Sequence, residues 1–178
     1  MSIRKIVIVG GGTAGWMAAA ALSRLKAGTT LDIELIESEQ IGTVGVGEAT
    51  IPPFVDFNKL LGFDERQMLS AVQGTFKVGI QFQNWGKLGD SYIHPFGNYG
   101  YEMGGISFHQ IWRKLGLEGD RRPIQAFNLE TMAAYFGKFA RTADYQRDDL
   151  PPMNYAYHIN ATAYAGFLRR NAEQHGVI

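Results

Sequence analysis

Between Ile3 and Trp16 the chain reads I-R-K-I-V-I-V-G-G-G-T-A-G-W. The unbroken apolar run Ile6 to Val9 predicts a strand buried on both faces. Gly10, Gly12 and Gly15 follow in G-x-G-x-x-G spacing, and Thr13 and Ala14 fill the positions between. An alanine-rich helix is predicted from Ala14 to about Leu25, with Gly28 as its stop. Each glycine has a separate task. Gly10 permits the tight turn, Gly12 lets backbone amides approach a pyrophosphate, and Gly15 lets the helix pack closely on the strand. The helix N-terminus adds free N–H groups and a positive dipole end. A second strand, Leu31 to Ile36, ends in Glu37, about twenty residues beyond the last glycine, where a carboxylate can accept from a ribose hydroxyl. An ordinary βαβ unit with a glycine turn would need the strand and the helix, but not the acid. All four features in register predict a dinucleotide-binding βαβ unit over residues 3–37.

The chain has 178 residues, enough for one domain with a sizeable core. Seventeen basic and seventeen acidic side chains cancel, so no net field favours nucleic acid or an anionic membrane. Cysteine is absent, which excludes disulfides, thiolate catalysis and cysteine metal sites. His94 has no second ligand at metal-like spacing, so no metal site is expected. The apolar run after Arg4 and Lys5 is too short for a signal peptide, and nothing approaches the ~18 apolar residues of a membrane helix. The expectation is a soluble, cytoplasmic protein.

Residues 38–53 carry glycines at 42, 45 and 47 and two prolines, a pattern of ordered but irregular loop. Short helices are predicted over residues 54–61 and from an Asp64 cap to about Val72. Phe76, Val78, Ile80 and Phe82 then alternate with Thr75, Lys77, Gly79 and Gln81, predicting one strand over residues 75–83. By alternation alone Lys77 reads as a solvent-facing charge, with Gly79 leaving room beside it for a ligand or a backbone. Residues 84–105 are rich in glycine and aromatics, fit for short strands and turns. His94 reads as a packing or hydrogen-bonding residue, His109 and Trp112 as packing residues. Helices are expected over 107–115, from an Asn128 cap to about Phe139, and from an Asn160 cap to about His175. Val177 and Ile178 look like the opening of another strand. A doubly wound sheet needs further parallel strands, so the chain is expected to be the N-terminal portion of something longer.

Four stretches together resemble the flavin-dependent halogenases of the tryptophan halogenase family: G-G-G-T-A-G-W from Gly10, G-V-G-E-A-T-I-P from Gly45, F-K-V-G-I-Q-F-Q-N-W from Phe76, and Y-H-I-N-A near the end. The first is shared with many flavoproteins, whereas the second and third at this spacing are far more specific. The resemblance implies an α/β fold: a Rossmann-like, flavin monooxygenase-like FAD-binding domain, broken off before its sheet is complete. Its parts would be the βαβ unit 3–37, a flavin strap 41–53, a lysine strand 75–83, an insert 84–152 and a returning helix 160–175. The implied cofactor is FAD, as FADH2 from a separate flavin reductase, with halide and O2 as co-substrates. A flavin hydroperoxide would oxidise chloride or bromide to hypohalous acid, which a tunnel delivers to the lysine of the F-K-V-G-I strand. That role falls on Lys77, which would direct the halogen at an electron-rich aromatic such as tryptophan or another indole, a phenol or a pyrrole, free or carrier-bound. The resemblance also places Gly10, Gly12, Thr13, Ala14, Gly15, Glu37, Ser38, Ile41, Gly47, Glu48 and Ala49 at the FAD. A homodimer is compatible with it.

The family's W-x-W-x-I-P signature is absent, and the carboxylate partner of the lysine belongs to later segments. Three other readings remain beside the halogenase: an aromatic hydroxylase, a non-catalytic FAD-binding module, and a NAD-linked dehydrogenase. The last lacks any visible constellation for hydride transfer.

Overall fold

The structure, a computed structural model, describes residues 3–26, 28–38, 40, 46–145 and 150–178. Two compact units divide it: residues 1–75 with 157–178, and residues 76–156.

In the first unit β1 (Lys5–Val9) leads through the glycine turn into α1 (Thr13–Leu25), and β2 (Asp32–Ile36) returns parallel to β1 in the register Lys5↔Asp32 to Val9↔Ile36. Next come β3 (Gly47–Ala49), α2 (Pro52–Leu60) and α3 (Glu65–Ala71). The prolines read as loop instead open α2, with Pro52 in the first turn, where a missing N–H costs nothing. Asp64 caps α3, its side chain accepting from the Gln67 amide at 2.9 Å.

The second unit begins within β4 (Thr75–Lys77) and continues with β5 (Gly79–Gln83), β6 (Ser91–Pro95), α4 (Phe108–Leu117) and α5 (Leu129–Tyr135). The predicted strand 75–83 is therefore two strands, broken at Val78. β5 pairs antiparallel with β6, Gly79 opposite Pro95. A Cβ on Gly79 would lie 2.6 Å from the His94 carbonyl oxygen, so the room beside it belongs to the neighbouring backbone. α5 starts on its Asn128 cap and ends earlier than expected, at Tyr135, before Gly137 with φ +60°. The aromatic core of the second unit stacks Phe76 on Phe139 at 4.1 Å and sets Tyr155 edge-on to both. His94 and His109 are exposed, so the packing role read for His109 is not a buried one.

β7 (Ala156–Asn160) then opens α6 (Ala161–Gln174), capped by Asn160, and the chain closes the first unit. α6 packs on α1. Trp16, Ala19, Ala20, Tyr164, Ala165, Leu168 and Ala172 are buried between and around the two helices. Val177 bridges Ile33 in parallel, and Ile178 exchanges backbone hydrogen bonds with Ile33 and Leu35, adding to the free edge of β2. β1 departs from expectation. Val7 is 48% and Val9 82% exposed, because among the described residues β1 has one strand neighbour and one covered face.

Among the described residues no helix is long and apolar enough to cross a membrane, and no cluster of three or more His, Asp or Glu could hold a metal ion.

Candidate active site

The glycine turn follows from local sterics. Gly10 takes φ +115°, a conformation that disfavours any side chain, and its N–H donates to the Ile36 carbonyl at 2.8 Å. A Cβ on Gly15 would stand 1.9 Å from the Gly10 oxygen, so this helix can cross this turn only with glycine there. Gly12 is the N-cap of α1, and the position its Cβ would take is open. Thr13 and Ala14 begin the helix, where backbone N–H groups have no intrahelical acceptor. Open space over a glycine at a helix N-terminus suits a pyrophosphate, so these residues fit a dinucleotide.

Glu37 sits beside them, just past the end of β2. Its Oε1 accepts from the Arg169 guanidinium at 2.6 Å and its Oε2 from the Trp16 indole N–H at 3.3 Å. The carboxylate lies against Gly11, where a Cβ would fall only 1.6 Å from Oε2. Arg169 also donates to Glu173 at 2.7 Å and lies 5.6 Å from the centre of the Trp16 ring. Ser38 is exposed and accepts from the Gln40 amide at 3.3 Å. Gly10, Gly12, Thr13, Ala14, Gly15 and Glu37 are thus one neighbourhood, with Ser38 next to Glu37 in the chain.

Gly47, Glu48 and Ala49 form a second group on β3, all three exposed. They pair antiparallel with Asn160, Ile159 and His158 of β7. The next residue fastens the strap: the Thr50 hydroxyl donates to the Tyr157 carbonyl and accepts from the Tyr157 amide, both at 2.9 Å, while the Thr50 N–H donates to the same carbonyl at 2.8 Å. Tyr157 is held in turn, its ring edge-on to Phe54 and its hydroxyl donating to Glu65 at 2.5 Å. Ile41, Gly42 and Gly45 lie outside the described residues.

Lys77 belongs to the second unit, and there the alternation misleads. The side chain is 8% exposed, not solvent-facing. Its ammonium lies 5.2 Å from the centre of the Phe96 ring. Burial lowers its pKa from the ordinary lysine value, because losing water penalises the charged form. A lysine of this kind can act as a neutral nucleophile or donate from its charged form, and the ring face beside it supports a cation or a flat ligand.

The sequence matches the tryptophan halogenase family model over residues 5–178. The chain belongs to this family. It is 35% identical over 189 residues to tryptophan 7-halogenase RebH of Lentzea aerocolonigenes, an alignment covering 97% of this chain and 34% of the relative. Among solved structures, Xcc4156, a flavin-dependent halogenase from Xanthomonas campestris, superposes with a TM-score of 0.90 at 49% identity, covering 99% of this chain and 34% of that one. BrvH, a flavin-dependent halogenase from Brevundimonas sp. BAL3, gives 0.89 at 41% identity, covering 99% and 35%. The chain therefore spans about a third of the length of these relatives. The mixed α/β fold read from the sequence agrees with these neighbours.

Three participants went unread in the sequence: the Thr50–Tyr157 clasp, Arg169 on Glu37, and Phe96 beside Lys77. The first two join residues 107 and 132 positions apart. No local signal announces such pairs.

Proposed function

We propose that this halogenase-family protein halogenates an electron-rich aromatic compound, with Lys77 as the group that hands over the halogen. FAD, when bound as FADH2 from a flavin reductase, would supply with O2 the oxidation of chloride or bromide. Gly10, Gly12, Thr13, Ala14 and Gly15 would receive its pyrophosphate through backbone N–H groups. Glu37 would accept from the adenosine ribose, with Ser38 next to it. Gly47, Glu48 and Ala49, fastened through Thr50, would form the strap on the flavin side, together with Ile41.

The observation that carries the reading is the burial of Lys77 in the F-K-V-G-I motif. A buried amine keeps more of its neutral form, which can take up an oxidised halogen or hydrogen-bond hypohalous acid. Exclusion of water also protects an oxidised halide from side reactions. Indole, phenol and pyrrole rings are the substrate classes such an electrophile attacks. RebH, named for tryptophan, supports the indole class.

The test supplies the intact protein with a flavin reductase, FAD, bromide and indole, and identifies the products by mass spectrometry. Bromoindole formed only when bromide is present is the expected result. Hydroxyindole, or FADH2 oxidation with no modified indole in a panel that includes phenol and pyrrole, would overturn the proposal.

A further inference from the structure

The second unit holds a buried carboxylate that the halogenation chemistry does not use. Glu130, the second residue of α5, is 2% exposed. Its Oε1 accepts from the Asn154 backbone N–H at 2.8 Å and its Oε2 from the Asn128 side-chain amide at 3.1 Å. Both donors are neutral, and among the described residues no Lys, Arg or His forms an ion pair with it. Arg122, stacked 4.6 Å over the Phe127 ring, is already paired with Asp120. A carboxylate this deep without a counterion is expensive, and two neutral hydrogen bonds offset only part of that cost.

Glu130 is also held firmly. A Cβ on Gly97 would lie 2.0 Å from its Oε2, so the backbone of Gly97 presses on the carboxylate. The Asn128 amide that donates to Glu130 also donates to the Asn98 carbonyl at 3.0 Å, while its oxygen caps α5 on the Thr131 amide at 2.6 Å. The carboxylate is thus held in place, and Glu130 is one of the residues that line a cavity of about 410 Å³. Among the described residues the rest of the lining is largely apolar, with Tyr101, Phe127, Leu129 and Pro152 beside the polar Asn98 and Asn154. The volume lies within the range of small-molecule sites, roughly 300–1,000 Å³. A buried carboxylate in the first turn of α5, with no cationic partner among the described residues and beside an aromatic and aliphatic cavity, suits a cation that carries apolar surface.

We propose that this cavity binds a primary ammonium group borne on a small aromatic or aliphatic body, the ammonium docking on Glu130 and the body lying among Tyr101, Phe127 and Leu129. The ammonium supplies the missing counterion and donates to the carboxylate lone pairs that Asn128 and Asn154 leave over. The body displaces water from Leu129 and the two rings. This site does not depend on flavin or on Lys77, so its failure and the failure of the halogenase reading are separate results.

The probes are 2-phenylethylamine and its neutral isostere 2-phenylethanol, titrated by calorimetry into the intact protein without flavin, in the wild type and in a Lys77→Ala background. The amine should bind at least about tenfold more tightly than the alcohol in both, as a charge-assisted hydrogen bond gives. Glu130→Gln should erase that preference. If Glu130→Gln does not fold, Leu129→Trp, which fills the cavity and leaves the carboxylate in place, should abolish binding of the amine. Equal affinity for amine and alcohol, no binding of the amine, or unchanged binding in Leu129→Trp would overturn the proposal. Loss of amine binding in Lys77→Ala would also do so, since the site would then be that of the lysine.

Discussion

At Lys77 a single side chain joins stability to chemistry. Its folded-state pKa lies below the ordinary 10.5 because burial opposes the charge. Between that lowered value and 10.5 the unfolded chain still holds a proton that the folded chain has released, so this group's contribution to stability rises with pH across the window. Lys77→Met, of similar length and uncharged, should therefore raise the urea midpoint at neutral pH. The gain over wild type should shrink as pH climbs through the window and be gone above it. A gain independent of pH would mean that the ammonium is not penalised by burial. Arg169 offers a second test at this scale. It holds Glu37 against Gly11 and Trp16, so Arg169→Gln should release the carboxylate and weaken FAD binding by about three- to tenfold, the net worth of roughly one ordinary hydrogen bond. FMN, which lacks the adenosine ribose, should bind both proteins alike in a fluorescence titration. The sequence pointed to Lys77 and Glu37, but neither to Arg169 nor to how deep Lys77 lies. Alternation assigns Lys77 to a face of a strand, and depth depends on what covers that face.

Among the elements, those with local causes were legible. Asp64, Asn128 and Asn160 each stand one residue before their helix and accept from the amide three residues on, a pattern that needs nothing distant. The βαβ unit was legible for the same reason, since strand, glycine turn and helix are contiguous. β3 and β7 were not. Neither carries a local strand signal, and each is a strand because of a pairing with residues distant in the chain. Thr50 shows how much rests on that pairing: its hydroxyl exchanges two hydrogen bonds with the backbone of Tyr157, a residue 1% exposed. Thr50→Val keeps the shape and removes both, while the Thr50 N–H still donates to the Tyr157 carbonyl. Urea unfolding should show a loss of about 1–3 kcal/mol. An unchanged midpoint would mean that β3 and β7 hold without the clasp.

On the scale of the whole molecule, the described surface has one face that water does not suit. Val7, Val9 and Ile36 are 48%, 82% and 51% exposed on neighbouring parallel strands, and Ile178 beyond them is 86% exposed. Net charge is zero at neutral pH, so no long-range repulsion opposes contact between two such faces. Residues 1–178 made alone should self-associate with rising concentration in sedimentation experiments, and Val9→Lys should reduce it. A monodisperse monomer at every concentration would contradict this. The sequence predicted an unfinished sheet, because the βαβ unit could be read from the chain; which face stays bare depended on the packing of α1.

Lys77 is the residue proposed to pass the halogen to the substrate. The most direct measurement is the yield of brominated indole per FADH2 consumed, compared between the intact wild-type protein and Lys77→Ala at matched FAD occupancy. The account predicts unchanged FADH2 consumption and at least about a 100-fold lower product yield in the variant. Equal product yield in the two proteins would contradict it.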